Sequence, residues 1–119
     1  MEKLIKLYMD FLNESEDKNL SMEEFSEMRL KGASKIAEAA KEKGGVAMLT
    51  YHHFVVKLPY YKKAAAGKFK ESETRKDLDE KMDLLNKGLA GDIKISQTDF
   101  QKLVGLIEVL GELLIKNKQ

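Results

Sequence analysis

The sequence contains no cysteine, a single proline (Pro59) and only two histidines in 119 residues. Without thiols there is no disulfide framework, no thiolate nucleophile and no cysteine-ligated zinc site. A chain free of cysteine fits a reducing compartment such as a bacterial cytosol. Long apolar runs are also missing: nothing approaches the ~18 residues that mark a membrane-spanning helix. The opening Met1-Glu2-Lys3-Leu4 lacks the continuous apolar stretch of a secretory signal. These absences make a cytoplasmic protein with no membrane partner the expectation. An excess of one charge is absent as well, since 21 Lys+Arg face 20 Asp+Glu for a net charge of +1. A chain built wholly around nucleic-acid phosphates usually carries a basic surplus.

What is present is ordinary in bulk and uneven in placement. A hydrophobic share of 43% beside 34% charged residues suits a globular domain and is too apolar for a disordered chain. The length suits one domain over residues 1–119, with a modest core. The near-neutral total hides a basic centre. Residues 1–43 hold eight bases and ten acids, residues 44–70 five lysines and no acid, and residues 71–119 eight bases and ten acids.

Periodicity predicts an all-α bundle of four to five helices. Leu4, Ile5, Tyr8, Phe11 and Leu12 form a helical stripe over residues 2–13. Ser21 and Glu24 spell a capping box, with Leu20 and Phe25 at the positions of a hydrophobic staple. Phe25, Met28, Gly32, Ile36, Ala39 and Ala40 continue that face until Gly44 and Gly45 stop the helix. A third helix is expected from residue 46 to 57, kinked or broken at Leu58-Pro59, with a short continuation to Ala66. Its core stripe reads Ala47, Tyr51, Phe54, Leu58, Tyr61 and Ala65. Val46, Thr50, Val55 and Val56 would suit a strand on propensity, but no second strand is evident to pair with it. A fourth helix starts at Thr74 and Asp77 and presents Leu78, Met82, Leu85 and Leu89. The last, residues 97–117, is capped by Ser96. Its wide stripe of Leu103, Val104, Leu106, Ile107, Val109, Leu110, Leu113 and Leu114 predicts a central position or self-association through this helix.

The candidate functional residues gather in the acid-free centre. His52 and His53 titrate near neutral pH and could serve acid–base or metal chemistry. Adjacent helical residues point about 100° apart, however, and the His-x-x-x-His spacing of a helical ligand pair is missing. No acid within the segment orients either ring, so no catalytic residue and no metal ligand is assigned. Tyr51 and Tyr61 fall on the core stripe, whereas Tyr60 lies off it beside Lys62 and Lys63. His52, His53, Lys57, Tyr60, Lys62, Lys63, Lys68 and Lys70 therefore form the expected basic, aromatic binding surface. The partner it suggests is a protein or another anionic molecule. Nucleic acid is less favoured on the neutral total charge. Gly44-Gly45 lacks the rest of a phosphate-binding loop and reads as a turn. No cofactor motif is complete, and no cofactor is expected.

The residues Leu7-Tyr8-Met9-Asp10-Phe11-Leu12-Asn13-Glu14 resemble the start of small proteins of T4-like bacteriophages. In that group a short amphipathic N-terminal peptide can target internal head proteins to the prohead and is removed after a Leu/Ile-x-Glu site. Leu12, Asn13 and Glu14 match that pattern. The resemblance covers only residues 1–14 and implies one of two roles. One is a host-takeover or anti-defence protein that binds its target in the host cytoplasm. The other is an internal head protein carried with DNA in the virion interior. A small histidine-dependent enzyme or metal protein is the remaining reading.

Overall fold

Ser21 opens the first helix that the computed structural model shows, and the structure describes residues 20–118. The helix expected at residues 2–13, its polar loop and the Leu12-Asn13-Glu14 site lie outside the described residues. Five helical segments follow: α1 (Met22–Lys43), α2 (Ala47–Val55), α3 (Leu58–Ala65), α4 (Glu71–Leu89) and α5 (Gln97–Asn117). No strand occurs among the described residues.

The capping box forms as the sequence predicts. Glu24 N–H donates to Ser21 Oγ at 3.1 Å, and Ser21 N–H donates to Glu24 Oε1 at 3.2 Å. Along α1 the buried line is Ser26, Gly32, Ala33, Ile36, Ala37 and Ala40. Small side chains at helical spacing let α2 and α3 lie close against it. Gly44 and Gly45, at φ 62° and 55°, make the left-handed turn into α2 that a side chain would disfavour.

α2 and α3 are one helix with a bend. Pro59 has no N–H to offer the Val55 carbonyl, and its ring crowds that oxygen. Lys57 N–H instead donates to the Phe54 carbonyl at 3.1 Å, a tighter turn, before Tyr61 N–H resumes with the Lys57 carbonyl at 3.1 Å. The interruption falls at Val56 and Lys57, just upstream of the predicted Leu58-Pro59. A proline disturbs the turn that precedes it, and Pro59 itself sits in the first turn of α3.

α5 touches every other helical segment described, which makes it the centre of the fold. It buries Leu103, Gly105, Val109, Leu110, Leu113 and Leu114. α4 packs back along α5 and buries none of its residues. It begins at Glu71 rather than Thr74, whose hydroxyl donates to the Lys70 carbonyl at 2.7 Å instead of capping the helix. The described residues measure 42 × 35 × 19 Å, so the short axis holds only two helix layers.

Candidate functional site

The acid-free centre of the sequence does not stay free of acid in the fold, because α4 and α5 bring carboxylates to it. The buried line through α2 and α3 is Ala47, Thr50, Phe54, Lys57, Tyr61 and Ala64. Lys57 therefore sits on the core line, fully buried, where the apolar pattern had suggested Leu58. This corrects its placement on an exposed basic surface. Its ammonium bonds the Glu108 carboxylate and lies 4.7 Å from the Phe54 ring centroid.

Around this pair the side chains form a ladder. His53, Lys57 and Tyr61 recur every four residues on α2–α3, and Glu108 and Glu112 are four apart on α5. His53 Nε2 is 3.4 Å from Glu108 Oε2, Lys57 bonds Glu108, and the Tyr61 hydroxyl donates to Glu112. Arg29 of α1 closes the end, its Nε 3.7 Å from Glu112 Oε2 and its guanidinium 4.7 Å above the Phe25 ring. Gly105 permits the approach: a Cβ there would overlap the His53 carbonyl oxygen and lie 2.8 Å from Val56 Cγ2.

Burial works against ionising Glu108. The hydrogen bonds and charges of His53 and Lys57 outweigh it and hold the carboxyl down at about 2. For Lys57, burial is the largest influence and lowers the ammonium below its ordinary value, although Glu108 and Glu112 pull the other way. Two buried charges repay their desolvation only with good geometry and further hydrogen bonds. Here only Lys57 is fully buried, and Glu108 keeps part of its hydration while joining α2–α3 to α5.

His52 takes no part in the ladder. Its ring meets Tyr51 edge-on at 5.3 Å, and its Nδ1 is buried without a hydrogen-bond partner among the described residues. The two imidazoles thus diverge, as their adjacency on a helix predicts. Among the described residues no group of three or more histidines and acids is arranged to hold a metal ion.

Tyr60 is half-buried rather than exposed, which corrects a second placement. Its hydroxyl donates to Asp77 Oδ2 at 2.6 Å. Burial first, then the Asp77 hydrogen bond and charge, push the phenol up to about 12. Asp77 itself is raised by burial and lowered more by its bonds to Tyr60 and Lys81, so its carboxyl lies below the ordinary value. Lys63 and Lys70 share Glu73, at 3.6 Å and 3.7 Å. Lys62 and Lys68 are exposed, and among the described residues no acid lies within ion-pair distance of either.

These groups border a cleft of about 450 Å³ between α3 and α4. Ala64, Phe69 and Leu113 give it an apolar floor, and Lys63, Lys70, Lys76, Glu73 and Glu80 stand around it. The volume is in the range of clefts that take ligands or a partner's side chains. Of the residues singled out in the sequence, the cleft gathers Tyr60, Lys63 and Lys70, with Lys62 and Lys68 nearby in the chain. His53 and Lys57 go to the interior ladder. Sequence reasoning passed over Phe69 and Glu73 in the cleft and Glu108 and Glu112 in the ladder, and read Asp77 only as part of a helix start. The two α5 acids carried a signal, being spaced i, i+4 inside an apolar stripe.

The chain matches no known protein family, no curated protein and no solved structure.

Proposed function

We propose that the chain is a non-enzymatic binding protein that takes a protein partner in the cleft between α3 and α4. The observation that carries this reading is the combination of an apolar floor (Ala64, Phe69, Leu113) with a rim of long charged side chains. Protein interfaces concentrate their energy in such desolvated pockets, surrounded by a polar rim. Lys62 and Lys68, exposed and nearby in the chain, extend the basic side of the rim beyond the cleft. The N-terminal resemblance to T4-like phage proteins suggests a host or viral target.

The test is capture of a bacterial protein by the immobilised chain, compared with a Phe69→Asp variant and with a Lys62→Glu/Lys68→Glu variant. Phe69→Asp should abolish capture, and the double charge reversal should weaken it, with helical circular dichroism retained in both. Undiminished capture by a folded Phe69→Asp variant would remove the cleft from the interface.

A further inference from the structure

Lys63 comes from α3 and Lys70 from the segment leading into α4, yet both ammonium groups converge on one carboxylate. Lys63 Nζ faces Glu73 Oε2 at 3.6 Å, and Lys70 Nζ faces Glu73 Oε1 at 3.7 Å. All three residues line the cleft beside its apolar floor. Both separations exceed hydrogen-bonding range, and all three side chains are about half exposed or more. Exposed pairs of this kind are weak, so Glu73 is easily displaced.

The charge balance of the cleft points the same way. Asp77 is committed to the Tyr60 hydroxyl and to Lys81 at 3.1 Å, and Lys81 stands outside the cleft lining. Lys63, Lys70 and Lys76 then face only Glu73 and Glu80. Among the described residues, no acid pairs with Lys76. Removing Glu73 from between the two lysines leaves a seat for one external carboxylate, a few ångströms from an apolar floor.

On the basis of the binding role proposed above, we infer that the cleft recognises an acidic peptide segment, whose carboxylate side chain replaces Glu73 between Lys63 and Lys70 while a neighbouring apolar side chain fills the floor. Glu73 is then a built-in competitor that holds the seat in the free protein. A polynucleotide is the poorer fit, because its closely spaced phosphates would meet Glu80 as well as the lysines.

Fluorescence anisotropy separates these cases with a labelled peptide carrying a central Leu-Phe pair flanked by glutamates. Its counterpart has glutamines in place of the glutamates, and a labelled oligothymidylate is the third probe. The acidic peptide should bind up to about fivefold more tightly than its glutamine counterpart, since its weak exposed ion pairs replace those of Glu73. Lys63→Ala/Lys70→Ala should erase that preference. Glu73→Gln should strengthen acidic-peptide binding by about the same factor and leave the glutamine peptide unchanged. Thermal melting monitored by circular dichroism confirms that each variant is folded.

The inference is overturned if the acidic peptide shows no preference, if the preference survives the double lysine variant, or if Glu73→Gln weakens binding. Tighter binding of the oligothymidylate overturns it too. If the acidic preference fails while Phe69→Asp still abolishes protein capture, the binding role stands and only the ligand class falls. Loss of both removes the cleft altogether.

Discussion

Gly105 and Gly111 both lie in the interior of α5, yet a methyl group added to each meets different surroundings. At Gly105 the new Cβ would overlap the His53 backbone and crowd Val56, whereas at Gly111 it finds nothing within 4 Å. A backbone carbonyl cannot move aside as a flexible side chain can, so Gly105→Ala must push α2 away from α5. Overpacking of that kind costs about 1–3 kcal/mol. Gly111→Ala should instead stabilise by about 0.5–1 kcal/mol, because alanine loses less backbone entropy in a helix. Urea denaturation reads both, and equal effects of the two substitutions would contradict the close approach at His53. The sequence showed two glycines in an apolar helix and nothing to tell them apart. The difference depends on a neighbour about fifty positions away in the chain, which local pattern does not encode.

At the scale of the helix, the ladder between α2–α3 and α5 decides how legible the sequence was. The helical period of the central segment was readable in spite of its strand-forming valines, and so was the disturbance caused by Pro59. The rotation of the stripe was not. Apolar residues alone give Ala47, Tyr51, Phe54, Leu58, Tyr61 and Ala65, whereas the buried line is Ala47, Thr50, Phe54, Lys57, Tyr61 and Ala64. A lysine took a core position because α5 offers Glu108 opposite it, and only the fold brings the two together.

The partners are unequal: the Lys57 side chain is fully buried, while that of Glu108 is 41% exposed. Glu108→Gln should therefore cost about 3 kcal/mol, since it removes the carboxylate bonded to an ammonium that has no route to water. Lys57→Met fills the same volume and leaves Glu108 able to hydrate, so its effect should be near neutral or stabilising. Chemical denaturation of the two single variants checks the asymmetry, and a larger loss for Lys57→Met would show that the pair's attraction outweighs its desolvation. α4 illustrates a different gap. Its predicted apolar side is real, but Met82 and Leu89 on it are 39% and 70% exposed because α5 is its main packing partner. A hydrophobic stripe tells which side a helix prefers to bury and not whether the fold supplies enough surface to cover it.

Across the described residues, a thin two-layer body with few buried side chains makes stability depend on its ionised contacts, and pH should expose this. The Glu108 carboxyl is held at about 2 in the fold against an ordinary 4.5. Its stabilisation is present in full above the unfolded value and is lost as pH falls from 4.5 towards 2. Asp77, also lowered, adds a loss of the same sign below its ordinary 3.8. On the alkaline side Tyr60 is raised from 10.0 to about 12, so the fold retains its proton where the unfolded chain has released it. That contribution is full below pH 10 and declines between 10 and 12. Lys57 acts in the opposite sense: its lowered value means the unfolded chain binds the proton more readily, so its contribution grows as pH rises towards 10.5. Urea midpoints measured across this range should fall at both ends. Glu108→Gln should chiefly flatten the acid limb, and Tyr60→Phe should chiefly flatten the alkaline one. If neither variant changes its own limb, stability must be titrating through other carboxylates and phenols, and the ladder and the Tyr60–Asp77 contact would lose their place as the charged supports of the fold.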